Sequence, residues 1–152
     1  MADEAVKVVA SNRKAHHEYF LEERFEAGIV LQGTEIKSLR AGQVQLRDSY
    51  VLIEEFELFL RNCHIAPYGH ARENHDPVRP RKLLMHKREI LKIRAKVREK
   101  GYTLIPVQIY LTKGRAKVEI ALAKGKKLHD KREDIAKRDA ERDMRREMGR
   151  RE

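Results

Sequence analysis

From residue 102 to residue 123 the large apolar side chains fall on a two-residue period. Val107, Ile109 and Leu111 alternate with Gln108 and Tyr110, and Val118, Ile120 and Leu122 alternate in the same way. Lys113-Gly114-Arg115 separates the two runs. Successive strand side chains point to opposite faces, so a period of two places one apolar row on one face of a sheet. Two such runs around a tight turn containing Gly read as an antiparallel hairpin. The chain must therefore build a sheet with one buried face, and that sheet must deal with its open edges.

The rest of the first 123 residues supplies partners for that hairpin. Residues 49–53 and 58–62 predict a second hairpin, with Val51, Ile53, Leu58 and Leu60 alternating and the turn near residues 54–57. Residues 19–31 are strand-like around Phe20, Phe25, Ile29 and Leu31, with Gly28 as a bulge. Residues 64–68 predict a short strand ended by Pro67. Thr34 is placed to cap a short helix over residues 35–41, with Ile36 and Leu39 facing the core and Gly42 just past its end. Residues 69–81, with Pro77 and Pro80, read as a polar loop that is functional or mobile. Residues 82–100 carry helical spacing, with Leu84, Ile90, Leu91, Ile93 and Val97 on one broad face and Gly101 as the stop. The sum is a mainly β chain: about six strands in a small antiparallel barrel, with two or three short flanking helices. An OB-like Greek-key barrel is the commonest nucleic-acid-binding member of that class.

Composition divides the chain. Residues 1–123 hold nearly all the large apolar residues, whereas residues 124–152 are a charged run whose larger apolar side chains are Leu128, Ile135, Met144 and Met148. A segment with so little to bury cannot offset its ordering entropy. The expected organisation is a barrel domain over residues 1–128 and a basic tail over residues 129–152. The tail is expected to be disordered when free and helical on a partner. The net charge of +10 points to a polyanion, nucleic acid first and an anionic membrane surface second. No apolar run reaches the roughly 18 residues of a membrane span, and residues 1–11 lack the long apolar stretch of a secretion signal. A lone Cys63 excludes an internal disulfide and reads as a small buried hydrophobe. Together these features favour the cytoplasm.

Catalytic chemistry finds no constellation here. There is no phosphate-cradling Gly-rich loop and no Cys pair at metal spacing. His16 and His17 are adjacent, so on a strand they would point to opposite faces. His70 and His75, with Asp76 nearby, read as solvated loop histidines rather than a metal site. No catalytic residue, metal ligand or cofactor is expected, and the chain does not read as an enzyme. The basic residues say more. Asn12-Arg13-Lys14 precedes the first strand, and Arg79, Arg81, Lys82, Lys87 and Arg88 cluster further on. Arg115 and Lys117 sit in the last hairpin, and Lys124, Lys126 and Lys127 flank Gly125. A solvated basic surface is one reading. The other is a ligand-facing set, because these clusters recur at strand ends, where barrels present residues to a ligand. The tail over residues 130–138 likewise reads either as an exposed salt-bridged helix or as a segment that folds inside an RNA channel.

Longer motifs narrow the choice. They are Asn12-Arg13-Lys14-Ala15-His16 with Tyr19; Glu26-Ala27-Gly28-Ile29 through Gly33-Thr34-Glu35-Ile36-Lys37-Ser38-Leu39-Arg40; and Asp48-Ser49-Tyr50. Arg81-Lys82-Leu83-Leu84, His86-Lys87 with Glu89, and Lys100-Gly101-Tyr102-Thr103 follow. The last are Ala123-Lys124-Gly125-Lys126-Lys127 and His129-Asp130-Lys131-Arg132. In these the chain closely resembles the small protein B (SmpB) family, from about residue 12 to about residue 138. The resemblance implies an OB-like barrel that binds the tRNA-like domain of tmRNA and stands in for its missing anticodon arm. It implies RNA contacts at Asn12, Arg13, Lys14, His16, Glu26, Leu84, Lys117, Gly125, Lys126 and Lys127. It also implies a tail, through His129, Asp130, Lys131, Arg132, Ile135, Lys137 and Arg138, that enters the empty mRNA channel and decoding centre of the small ribosomal subunit and engages its RNA. Elongation factor Tu and alanyl-tRNA synthetase would be indirect partners through tmRNA. Membrane is not an implied partner, and the chain is expected to be monomeric. One departure is the hairpin tip at residues 54–57, which lacks the Gly that many members carry there.

Overall fold

The computed structural model describes residues 6–126 and residue 142. Among them the order is β1 (Lys7–Ser11), α1 (Arg13–Glu18), β2 (Tyr19–Ile29), α2 (Gly33–Arg40), β3 (Val44–Gln45), β4 (Tyr50–Glu54) and β5 (Glu57–Arg61). It continues with β6 (His64–Ile65), β7 (Arg81–Leu84), α3 (Lys87–Lys100), β8 (Thr103–Thr112) and β9 (Arg115–Gly125). The period-two hairpin forms as its pattern demands. β8 and β9 pair antiparallel from Thr112 opposite Arg115 to Thr103 opposite Ala123. Lys113 and Gly114 turn between them with φ of 50° and 73°, left-handed values whose twist suits the flanking strands. The β4–β5 hairpin turns at Glu55-Phe56, with Glu55 at φ 54°.

The strands close on themselves. In the order β8-β4-β5-β7-β2-β9 each pairs with the next, and the β8–β9 pairing completes a six-stranded antiparallel ring. β4 meets β8 at Leu104, which leaves the far stretch of that strand, Gln108 to Leu111, for β1. β3 and β6 form a separate two-stranded sheet. Inside the ring Leu58, Leu60, Leu83, Leu104, Ile109, Val118, Ile120 and Leu122 are buried. Leu39 of α2 and Ile90 and Ile93 of α3 join the same core.

Several expectations are corrected. Residues 82–100 are not one helix. Arg81 and Leu83 point in while Lys82 and Leu84 point out, the alternation of strand β7, and the helix starts only at Lys87. Leu84 and Leu91 are exposed, so neither belongs to a core face. β1 and β3 were not legible at all. His16 and His17 lie on α1, not on a strand. β2 keeps its register at Gly28 and shifts it instead between Leu21 and Arg24. Helix α2 begins at Gly33 with Gln32 as its cap, whose N–H donates to Glu35 Oε1 at 2.8 Å. Thr34 is inside the helix, where its hydroxyl meets His75 Nδ1 at 2.8 Å. Ile36 is only half-buried.

The polar loop is tied down rather than free. Glu35 and Arg81 are both fully buried. Arg81 donates from Nε to Glu35 Oε2 at 2.6 Å, and from its other nitrogens to the carbonyls of Cys63 at 2.6 Å and Pro77 at 3.1 Å. Arg79 donates to the same carboxylate, Nε to Oε2 at 3.2 Å and Nη2 to Oε1. His75 is buried, and its other ring nitrogen lies 2.9 Å from the Ile65 carbonyl. Arg79 and Arg81 are thus turned inward and leave the basic surface, and His75 is not a solvated histidine. Burial pushes the Glu35 carboxyl up, but Arg79, the Gln32 N–H and Arg81 together hold it below its ordinary value of 4.5. A carboxyl depressed in the folded state stabilises above its unfolded pKa, and that stability is lost as pH falls through the folded value. The thermal midpoint should therefore hold from pH 7 to about 5 and fall below about 4. Arg79→Ala should make the fall shallower. Circular dichroism melts at stepped pH check this, and a midpoint unchanged in acid would contradict it.

Candidate nucleic-acid interface

Register decides which side chains share the outer face of the ring. On β2 and β9 Ala27 stands opposite Val118 and both point inward. The neighbouring pairs, Glu26 with Glu119 and Gly28 with Lys117, therefore point outward. β8 adds Tyr110 opposite Lys117 and Gln108 opposite Glu119. On the other side β7 places Leu84 opposite Gly28. One transverse row thus runs Tyr110, Lys117, Gly28, Leu84 across four strands.

Two glutamates opposed across a ladder repel unless each is compensated. Lys117 Nζ lies 3.5 Å from Glu26 Oε1, and Arg24 Nη1 lies 3.0 Å from Glu119 Oε1. Gln108 Nε2 donates to Glu119 Oε2 at 3.3 Å, and the Tyr110 hydroxyl donates to Glu26 Oε2. Burial and then this bond to Glu26 push the Tyr110 hydroxyl far above its ordinary value, so it remains a donor. A Cβ at Gly28 would sit 3.4 Å from Leu84 Cβ, a close but ordinary contact, so the Leu84 side chain lies directly over the Gly28 backbone.

These residues border an open groove of roughly 680 Å³, lined by Glu26, Gly28, Leu84 and Lys117 together with Arg24 and His86. Glu26, Leu84 and Lys117 come from distant parts of the chain and are brought together here. The chemistry suits an unpaired nucleotide. A carboxylate accepts from a base amino group, an ammonium meets phosphate or a base acceptor, and an exposed Leu offers a flat apolar contact. Arg24 and Tyr110 were missed from the sequence. Their signal lay in strand pairing, which one sequence does not display.

The second predicted cluster assembles at the other end of the same ribbon. Tyr19 pairs with Gly125, which brings α1 beside the end of β9. Lys126 Nζ donates to the His16 carbonyl at 3.1 Å and lies 5.1 Å from the centre of the Phe20 ring. Lys124 lies 4.7 Å from the Tyr102 ring in the same way. Arg13 and His16 are exposed on α1. Lys14 donates to Asp48 Oδ1 at 2.8 Å, and that bond raises its pKa. Asn12 itself is buried. It accepts from the Ala15 N–H at 3.2 Å, donates from Nδ2 to the Pro106 carbonyl at 2.9 Å, and so caps and anchors α1. Tyr19 and Gly28 are nine residue steps apart along β2, so the two patches are about 30 Å apart.

Lys82 is paired with Glu57 at 3.3 Å. Cys63 is buried beneath Arg81, and burial pushes its thiol up to about 11, as for an inert core side chain. Lys127 and the tail residues His129, Asp130, Lys131, Arg132, Ile135, Lys137 and Arg138 lie outside the described residues. Among the described residues no helix is long and apolar enough to cross a membrane.

The family described as SmpB protein matches the chain over residues 9–150. The SsrA-binding protein of Desulforudis audaxviator is 61% identical over 145 residues, which is 95% of each chain. The SsrA-binding protein of Geobacter sulfurreducens is 59% identical over 139 residues, 91% of each chain. A solved structure described as "tmRNA-SmpB: a journey to the center of the bacterial ribosome" is 50% identical, with a TM-score of 0.65 over 76% of this chain and 82% of that one.

Proposed function

This chain belongs to the SmpB protein family, and on that premise we propose that it is the RNA-binding adaptor of trans-translation. It binds tmRNA and acts on the bacterial ribosome, as its relatives' name and the ribosome-associated structural match support. The observation that carries the reading within the chain is the convergence of Glu26, Leu84 and Lys117 on one groove.

In this reading the groove holds an unstacked region of the tRNA-like domain. Shape and a few polar contacts fix the register, and the basic surface supplies most of the affinity by releasing counterions. The α1 patch, with Arg13, Lys14, His16 and Lys126, takes a second stretch of backbone about 30 Å away. Asn12 serves by holding α1 in place, and Gly125 by letting β9 end beside it. The tail then probes the empty mRNA channel, so that the complex engages only ribosomes without a codon. The adaptor catalyses nothing itself, works as a monomer in the cytoplasm, and meets elongation factor Tu and alanyl-tRNA synthetase only through tmRNA.

A gel-shift titration with the tRNA-like domain tests this. The chain should retain that RNA in the nanomolar range and a related tRNA far more weakly. Lys117→Ala should weaken binding about tenfold and reduce the slope against log salt by about 1. Equal affinity for both RNAs would defeat the reading.

A further inference from the structure

The groove does not end at Leu84. The β5–β7 ladder pairs Leu58 with Leu83. Glu57 and then Phe56 follow Leu58 toward the hairpin tip, as Leu84 and then Met85 follow Leu83 on the facing strand. Met85 and His86 line the groove, and the next residue, Lys87, lies over the ring of Phe56, so the tip of the β4–β5 hairpin adjoins the groove through Lys87. Phe56 is the outer residue of that tip and is 46% exposed. Its neighbour Glu55 holds the left-handed φ of 54°, a conformation that disfavours a side chain yet presents Phe56 outward. Two cations of α3 converge on the ring. Lys87 Nζ lies 4.7 Å from its centre and Arg94 Cζ lies 5.2 Å from it. They are seven residues apart, two turns on one helix face, so α3 presents both to the same aromatic.

We propose that Phe56, with Lys87 and Arg94, is a stacking site for an unpaired nucleotide of the RNA that fills the adjoining groove. A base stacks on the part of the ring that the two cations leave exposed, and stacking of this kind is tolerant of sequence. The phosphates on either side of a stacked base then meet the ammonium and guanidinium already gathered there. Of the acidic neighbours, Glu57 is engaged by Lys82 at 3.3 Å, and Glu89 lines the groove beside His86. The site extends the contact row from Lys117, Gly28 and Leu84 on to a fourth strand connection. It rests on the tmRNA reading, and it adds a residue that the hairpin tip carries in this chain.

The chain contains no tryptophan, so Phe56→Trp installs a single indole reporter. With the full chain and the isolated tRNA-like domain, that variant should bind within about twofold of the wild type, and its emission should be quenched on saturation. Phe56→Ala should lose roughly 5- to 100-fold in affinity, the range seen when a stacking aromatic is truncated. Its thermal midpoint, measured alongside, separates lost contact from lost fold. Unchanged affinity in Phe56→Ala, indole emission indifferent to saturating RNA, or quenching only by small ribosomal subunits would overturn the proposal. Wild-type chain that fails to retain the RNA would instead overturn the reading on which it rests.

Discussion

Glu35→Gln should remove about 3–5 kcal/mol of folding stability, a large share of what a domain of this size holds. The reason is the company Glu35 keeps. Its carboxylate is fully buried and takes hydrogen bonds from Arg81, Arg79 and the Gln32 N–H. Arg81 is equally buried, and its remaining bonds go to backbone carbonyls. Removing the negative charge leaves a guanidinium desolvated and uncompensated, which costs more than the pair itself contributes. The effect should reach well beyond α2, because the same cluster fixes the chain after β6 and the start of β7. Arg81→Met should also destabilise, since it strands the Glu35 carboxylate. The double variant should be less harmful than the two single effects added together. Urea unfolding of the four proteins decides it: a loss below 1 kcal/mol in Glu35→Gln would show that the buried pair is not compensated in the way described.

Deleting residues 129–152 should leave affinity for the tRNA-like domain within about threefold while abolishing peptide tagging on stalled ribosomes. The groove and the α1 patch, as described, are lined by residues before 127. The removed stretch is rich in Lys and Arg and poor in apolar residues. Such a composition suits a second, confined polyanionic surface better than a share in the barrel core. The check pairs a binding titration with a tagging assay on non-stop complexes. Collapse of tmRNA binding in the truncated chain would mean that the two RNA surfaces are not served by separate parts of the protein.

The hairpins could be read from the sequence because period-two runs and turn residues are local signals. Val118, Ile120 and Leu122 identify their strand without help from any other segment. β7 could not be read in that way. Its four residues, Arg81 to Leu84, are too few to establish a period, and one of its two inward positions is filled by an arginine that a pattern reading assigns to solvent. Only the partner explains that arginine, and Glu35 lies 46 residues away. Helix α1 was not read either, because its six residues are too few to display helical spacing. The groove was legible only in part. Glu26, Leu84 and Lys117 were named through family resemblance, and nothing in their spacing says that they meet. Their meeting depends on register across β9, β2 and β7, which is a property of pairing and not of any one strand.

That dependence has an evolutionary corollary. Because each wall of the groove hangs from a ladder position, adding or losing a single residue between Arg24 and Gly28 would exchange the fates of Glu26 and Ala27, burying the carboxylate and exposing the methyl. Point replacements there can be graded, whereas changes in length are all-or-none. Insertions accumulated over the history of this lineage should therefore avoid the middle of β2 and collect where no parity is counted, at hairpin tips and beyond the end of β9.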